Sequence, residues 1–225
     1  MPEASVPMPD ALTASDALVA WYRMDTATDR VVSDATGHHH DGTCSPPACP
    51  SLTASGRLGG AYVFDGTDLI RVPSAPELNT SQGFTVTAWV NRVAGAPDAC
   101  VVNKGVGTNG NNSWQACIGN GGGVAFFSAG ANGAHPDQFS TTLLDPGRWY
   151  HIALWWNGTT KATYVNGSRE AADDGIVIAF DDSDITLGVD IDGTMLVDPF
   201  NGQLDDVRIY NRALSPTELT ELQSP

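Results

Sequence analysis

Apolar residues recur at every second position in several short segments of the chain, a pattern typical of β-strands that bury one face. Two such faces are formed by Phe84, Val86, Ala88 and Val90, and by Tyr150, Ile152, Leu154 and Trp156. The segment 204–210 also alternates. It predicts one face with Asp205, Val207 and Ile209, and an opposite face with Asp206, Arg208 and Tyr210.

Turn signals separate these segments at short intervals. Asn-Gly pairs at 157–158 and 166–167 provide the positive φ angles that tight hairpins need. The one convincing helix start is Ser-Pro-Thr-Glu at 215–218, with an N-cap serine, a proline in the first turn and a glutamate three residues after the cap. This pattern predicts an all-β fold, a two-sheet antiparallel jelly-roll β-sandwich with one short C-terminal helix.

The length of 225 residues suits one large all-β domain. We expect an extended, proline-containing lead-in over residues 1–15 and a single domain over 16–225. No apolar signal-peptide segment follows Met1, and no apolar run approaches the roughly 20 residues of a membrane helix. We therefore interpret the chain as part of a longer, secreted multidomain protein without membrane insertion.

The chain carries 26 acidic and 11 basic residues, a formal net charge of −15. With no basic stripe to neutralise phosphates, nucleic acid is excluded as a partner. The charge also argues against polyanionic glycans unless a cation bridges them. Two interpretations of the acidity stay open, namely solubility and the binding of cations.

Four cysteines form two local pairs in the sequence, Cys44 with Cys49 and Cys100 with Cys117. Four cysteines allow three connectivities, and local pairing is the simplest. Two such disulfides would indicate an oxidising, extracellular setting. The alternative is four buried free thiols in a cytosolic protein.

Six motifs follow one another along the chain. They are LVAWYRMD at 18–25, SDATGHHHDGT at 33–43, RLGGAYVFDG at 57–66, GFTVTAWV at 83–90, WYHIAL at 149–154 with YVNG at 164–167, and NGQLDDVRIYNRALS at 201–215. In this order they resemble laminin-G-like domains of the concanavalin A-like lectin/glucanase superfamily. The resemblance implies a sandwich that recognises ligands in a concave groove or on the loops at its edge.

The resemblance also implies a structural calcium ion held by the opening strand, the first loop and the closing strand. Mapped onto this chain, its ligands would be Asp25, carbonyl groups of the loop 37–41, and Asp205 or Asp206, so the candidate metal residues are Asp25, Gly37, His40, Asp205 and Asp206. The alternative is that Asp25 caps a turn and that Asp206 lies on a solvated face. Three consecutive histidines at 38–40 stand where the family often has Asn and small residues, and we interpret them as a polar turn.

Aromatic rings stack on the C–H faces of sugars, while planar polar side chains bind the hydroxyl groups. The candidates for such a site are Trp114, Gln115, Phe127, His135 and Trp155. Core packing is the alternative for each aromatic residue, and it stays equally open for Trp114 and Trp155. The expected partner is a glycan, most simply a neutral polysaccharide.

Catalytic patterns are nearly absent from the sequence. Retaining glycosidases need paired carboxylates, and the E-x-D-x-x-E spacing of the superfamily's glucanases does not occur. We therefore expect a non-catalytic, lectin-like carbohydrate-binding module of a secreted or cell-surface protein. The alternatives are a protein-binding adhesion module, which would expose an apolar patch, and a divergent polysaccharide lyase or glycosidase.

Overall fold

The structure is a computed structural model that describes residues 14–26, 30–80, 82–94, 98–105, 113–129 and 139–223. Of the lead-in predicted over 1–15, residues 1–13 lie outside the described residues. No helix among the described residues is long and apolar enough to cross a bilayer.

The described residues form eighteen strands and one α-helix. The strands are β1 (Leu18–Tyr22), β2 (Val31–Val32), β3 (Gly42–Thr43), β4 (Ser51–Leu58), β5 (Gly60–Asp65), β6 (Ile70–Val72), β7 (Phe84–Arg92), β8 (Ala99–Lys104), β9 (Trp114–Ile118), β10 (Gly123–Phe127), β11 (Phe139–Leu143), β12 (Tyr150–Trp156), β13 (Thr160–Val165), β14 (Ser168–Asp174), β15 (Ile185–Leu187), β16 (Asp190–Asp192), β17 (Met195–Val197) and β18 (Asn201–Tyr210). The helix is α1 (Pro216–Glu221), and short 3-10 turns lie at Ser15–Ala17 and Pro76–Leu78.

Two large antiparallel sheets make up the fold. The first sheet has the order β14-β13-β12-β7-β18-β5-β4, with β1 also paired to β18. The second sheet has the order β11-β10-β9-β8-β15-β6-β3-β2, and β16 pairs with β17 in a separate hairpin. The prediction of a two-sheet antiparallel sandwich with one short helix is therefore confirmed.

One continuous hydrophobic core lies between the two sheets. The predicted apolar faces of β7 and β12 both contribute to it, which confirms the period-two interpretation of these strands. Around Phe84 the rings of Trp114, Phe126 and Trp156 lie with centroids 5.5, 5.8 and 5.9 Å away. Because burial of one large apolar side chain is worth about 1.5–3 kcal/mol, this aromatic cluster is a major contribution to stability.

The closing strand β18 departs from the predicted alternation. Its pairing with β7 shifts between Asp205 and Arg208, and Asp206 adopts a φ of +52°. Leu204 and Val207, three positions apart, both face the core. A β-bulge inserts one residue at this point, so the prediction that Asp205 shares a face with Val207 is wrong.

The helix α1 begins with the predicted N-cap. Ser215 Oγ accepts a hydrogen bond from the Glu218 amide, and the Glu218 carboxylate accepts one from the Ser215 amide, which completes a capping box. Glu218 also pairs with Arg212 at 2.6 Å, and these hydrogen bonds lower the pKa of Glu218 to about 2. Leu219 is buried against a cluster with Tyr210, so the helix covers part of the outer face of the first sheet.

Both predicted disulfides are present. Cys44 is bonded to Cys49 across a short turn, and Cys100 is bonded to Cys117. Cys100 and Cys117 lie directly opposite each other on β8 and β9. This second bridge lies on the outer surface of the second sheet, where it lines a cleft that four aspartates also line.

Candidate functional site

A cleft of about 400 Å³ lies between the outer face of the second sheet and the hairpin β16–β17. Strand alternation explains which side chains reach it. On β9, Trp114 and Ala116 face the core, so Gln115 and Cys117 face outward into the cleft. The chain that leaves the hairpin is held against β8 by a hydrogen bond from the Cys100 amide to the Asp198 carbonyl, 2.8 Å.

The floor of the cleft is apolar and partly aromatic. It consists of the Cys100–Cys117 bridge, Ile118, Phe127 and Phe139. The two phenylalanine rings meet edge to face with centroids 6.0 Å apart, and Phe139 is 48% exposed. A ring held in place and open to solvent on one side can stack on an apolar face of a ligand.

One uncharged polar side chain reaches into this floor. Gln115 is only 3% exposed, and it lies between Asn103 on β8 and Phe127 on β10 in the sheet register. Its side-chain amide makes no hydrogen bond to any other described residue, yet it lines the cleft. Because this amide has no partner among the described residues and lines the cleft, it is suited to hydrogen-bond a ligand.

Four carboxylates surround the cleft: those of Asp98, Asp190, Asp192 and Asp198. Burial, with the nearby charge of Asp98, raises the pKa of Asp198. Asp192 Oδ1 is buried and has no hydrogen-bond partner among the described residues. None of the described lining residues is Lys, Arg or His, so the cleft is strongly electronegative.

The predicted sugar-binding residues divide between different places in the structure. Gln115 and Phe127 come together in the cleft. Trp114 is 1% exposed and packs in the core, so the prediction that it forms a surface platform is wrong. Trp155 lies on the other sheet, where its Nε1 donates to the Leu214 carbonyl at 2.7 Å, and it does not line this cleft. His135 lies outside the described residues.

The three predicted calcium carboxylates lie near one another but already have protein partners. Asp25 Oδ1 accepts from the Gly60 amide and its Oδ2 pairs with Arg23. Asp206 Oδ1 accepts from Trp21 Nε1 at 2.6 Å, and its Oδ2 pairs with Arg208 at 3.0 Å.

Asp205 is the least satisfied of these carboxylates. Its Oδ2 accepts from the amides of Arg57 and Leu58, whereas its Oδ1 is buried and has no hydrogen-bond partner among the described residues. Burial, with the charges of Asp206 and Asp25, raises the pKa of Asp205 to about 6.

The two predicted loop ligands take part in a different network. The His40 amide donates to Asp34, and the His40 carbonyl accepts from the Tyr22 hydroxyl at 2.7 Å. Gly37 has a φ of +83° in the same turn, which suits glycine. Among the described residues, no group of three or more His, Cys, Asp or Glu side chains is arranged to hold a metal ion.

A laminin-G model of the concanavalin A-like lectin/glucanases superfamily matches residues 64–220. No curated protein matches the sequence. This family match covers more than half of the chain and includes β9, β10 and the hairpin of the cleft.

Several solved structures share the fold. Domain 4 of AbnA, a GH43 extracellular arabinanase from Geobacillus stearothermophilus in complex with arabinotriose, has 22% identity and a TM-score of 0.71, with 92% of this chain and 98% of that domain covered. The binding domain of Paraclostridial mosquitocidal protein 1 has 17% identity and a TM-score of 0.72, with 94% of this chain and 52% of that one covered. A Trypanosoma rangeli sialidase has 17% identity and a TM-score of 0.69, with 92% of this chain and 32% of the sialidase chain covered.

The chain thus spans about half of the mosquitocidal protein's binding domain and about a third of the sialidase, but nearly all of the arabinanase domain. At these identities the similarity concerns the fold.

Proposed function

Because the chain belongs to the concanavalin A-like lectin/glucanases superfamily, we propose that it is a non-catalytic carbohydrate-binding module of a larger, secreted or cell-surface protein. The cleft between the second sheet and the hairpin β16–β17 is the proposed binding site. The glycan stacks on the phenylalanine floor and receives hydrogen bonds from the polar groups around it.

The observation that carries this proposal is the combination of an open aromatic floor with the side-chain amide of Gln115, which lines the cleft and has no partner among the described residues. Phe139 offers an exposed ring, and Gln115 offers both a donor and an acceptor at the base of the cleft. Such pairing of apolar surface with a few fixed polar groups is what small-molecule sites in proteins have in common. A domain of the same fold has been solved in complex with arabinotriose, which supports a saccharide as the ligand class.

The fold alone does not indicate a binding module, because this superfamily also includes glucanases. The chemistry of the chain's own residues is therefore needed as well. The superfamily's glucanases place their carboxylate pair with an E-x-D-x-x-E spacing on one strand, and this spacing does not occur in the sequence. Extracellular location is supported by the two disulfides, since such bonds persist in oxidising compartments.

The proposal is tested by titrating the protein with a panel of oligosaccharides in a calorimeter, with a reducing-sugar assay on each ligand that binds. We expect binding without release of reducing ends. Phe139→Ala should weaken binding at least about ten-fold, because the exposed ring is lost. Leu143→Ala is the matched control, since Leu143 lies on the same strand, is 56% exposed and does not line the cleft.

Two results would contradict the proposal. The first is the absence of binding to every oligosaccharide in the panel, and the second is equal binding by the wild type and Phe139→Ala. Release of reducing ends would show instead that the protein is a glycosidase.

A protein partner is the second candidate, favoured by exposed apolar side chains at the tip of the hairpin. Met195 and Leu196 on β17 are both more than half exposed. If this tip binds a protein, changing both residues to Ser should abolish capture of that protein but leave glycan binding unchanged.

Calcium remains a separate proposal at Asp25, Asp205 and Asp206, supported by the buried oxygen of Asp205 that has no partner among the described residues. A calcium ion at this position would raise the melting temperature, because it binds the folded state. Melting curves with calcium and with a chelator test this proposal, and identical curves would refute it.

A further inference from the structure

We propose that the glycan bound in the cleft carries protonated amino groups, as in an amino sugar without an N-acyl group. This inference rests on the proposed function and deepens it, because it assigns a charge to the ligand. The four carboxylates of Asp98, Asp190, Asp192 and Asp198 line one cleft of about 400 Å³, and no described lining residue is basic. Asp98, Asp192 and Asp198 form no ion pair with a described Lys or Arg residue, and a neutral sugar would not supply the missing positive charge.

The acidity of the cleft is not simply the acidity of the whole chain. A second cavity of about 430 Å³ on the first sheet is lined by three arginines (Arg23, Arg57 and Arg208) together with two carboxylates. The two cavities of similar size therefore carry opposite charge balances, although the chain has a net charge of −15. The cleft is therefore lined by carboxylates alone among charged groups, whereas the second cavity combines both signs of charge.

The buried polar groups of the cleft point to an organic ligand. Gln115 is buried to 3% exposure with its amide directed at the cleft and unpartnered, which suits the hydroxyl groups of a saccharide. Asp192 Oδ1 is likewise buried and has no hydrogen-bond partner among the described residues. An ammonium group, which has three donors, would satisfy this oxygen.

A metal ion fits the cleft less well than an ammonium group does. A calcium ion needs six to eight oxygen ligands that converge on one point, and the described residues include no group of three or more acidic, His or Cys side chains arranged in this way. The carboxylates are instead distributed along the cleft, on the edge of β8, on β16 and after β17. Such a distribution matches a ligand with several positive charges along its length.

The aromatic floor of the cleft also favours a ligand with protonated amino groups. An ammonium group near the face of an aromatic ring is attracted by the negative charge density of that face. Phe127 and Phe139 both line the cleft that the carboxylates surround. Stacking of the sugar ring and attraction of the amine can therefore occur within one bound oligosaccharide.

The test compares oligosaccharides of equal length made of glucosamine, of N-acetylglucosamine and of glucose. Calorimetry is carried out at a mildly acidic pH that keeps the amines protonated, at low and at high salt. We expect the glucosamine oligosaccharide to bind at least about ten-fold more tightly than the other two, and we expect this advantage to shrink at high salt because charge attraction is screened.

Asp192→Asn is the test variant, and Asp182→Asn is the control, because Asp182 is exposed and lies outside the cleft while the charge change is the same. Asp192→Asn should reduce the preference for the amine roughly ten-fold without changing the binding of the neutral oligosaccharide.

The possible failures can be told apart. Equal or tighter binding of the N-acetylated or neutral oligosaccharide would overturn the inference but leave the proposed function intact. An unchanged preference in Asp192→Asn would also overturn it. If none of the oligosaccharides binds, the proposed function fails, and the inference fails with it.

Discussion

Removal of the Cys100–Cys117 bridge is a perturbation whose effect can be calculated from the structure and compared with an internal control. The bridge joins β8 to β9 and forms part of the cleft floor, and it closes a segment with a sequence separation of 17. The Cys44–Cys49 bridge closes a separation of only 5 and does not line the cleft. Replacing each pair with alanine therefore compares the loss of a long loop closure in the cleft floor with the loss of a short loop closure outside the cleft.

The expected loss of stability follows from chain entropy. The loop-closure relation gives about 3 kcal/mol for the longer loop and about 2 kcal/mol for the shorter one at 25 °C. For a domain of this size, 1 kcal/mol corresponds to roughly 2–4 °C in melting temperature. We therefore expect the Cys100→Ala/Cys117→Ala variant to melt about 6–12 °C below the wild type.

Urea and thermal unfolding of the three proteins provide the assay. The wild type should be the most stable, the Cys44→Ala/Cys49→Ala variant intermediate, and the Cys100→Ala/Cys117→Ala variant the least stable. Only the last variant should also bind the glycan more weakly, since its substitutions change the cleft floor. A smaller loss of stability in Cys100→Ala/Cys117→Ala than in Cys44→Ala/Cys49→Ala would refute the entropic reasoning.

Three further predictions concern residues outside the cleft. Trp114→Ala should destabilise the fold by about 3–5 kcal/mol in urea unfolding, because it removes a buried ring beside Phe84; wild-type stability would contradict its place in the core. Lys161→Met should cost about 1–3 kcal/mol in the same assay, because the buried ammonium donates to a backbone carbonyl at 2.8 Å that would lose its donor; a more stable variant would contradict this. The pKa of Glu218 is lowered to about 2 by its bonds to Arg212, so its contribution to stability is present above its usual pKa of 4.5 and is lost as the pH falls toward 2. Glu218→Gln should therefore be less stable than the wild type near neutral pH in thermal melts, with the difference shrinking below pH 4.5; a difference that grows on acidification would contradict the sign.

The layered fold could be predicted because period two is a local property of each strand. The faces of β7 and β12 follow directly from alternation, and both lie in the core. The same reasoning fails in β18, since it assumes an uninterrupted pleat and the bulge at Asp205 and Asp206 adds one residue. A bulge depends on its partner strand, which the sequence of β18 alone does not reveal.

Alternation could also have corrected the predicted binding site. Trp114 and Gln115 are neighbours on one strand, so their side chains must point to opposite faces of the sheet, and only one of them can line a surface cleft. The structure places Gln115 in the cleft and Trp114 in the core. Ligand binding by both residues in one cleft is therefore incompatible with the strand that contains them.

The acidic side of the cleft could not be found from the sequence. Asp98 and Asp198 are 100 positions apart and meet only because the chain after β17 pairs with the start of β8. The segment that contains Asp190 and Asp192 is in itself no more than an acidic turn in the sequence, and it becomes part of a cleft when the hairpin lies over the second sheet. Tertiary contacts therefore bring together a site whose parts are unremarkable along the chain.

Chemical-shift mapping of the nitrogen-labelled protein with whichever oligosaccharide binds tests the central claim most directly, because it locates the ligand without any substitution. We expect the largest changes at the side-chain amide of Gln115 and at the backbone amides of Phe127 and Val197, which line the cleft. Signals from Trp21 and Arg208, which line the second cavity on the other sheet, should stay unchanged. Changes at Trp21 and Arg208 with an unaffected Gln115 would contradict the account.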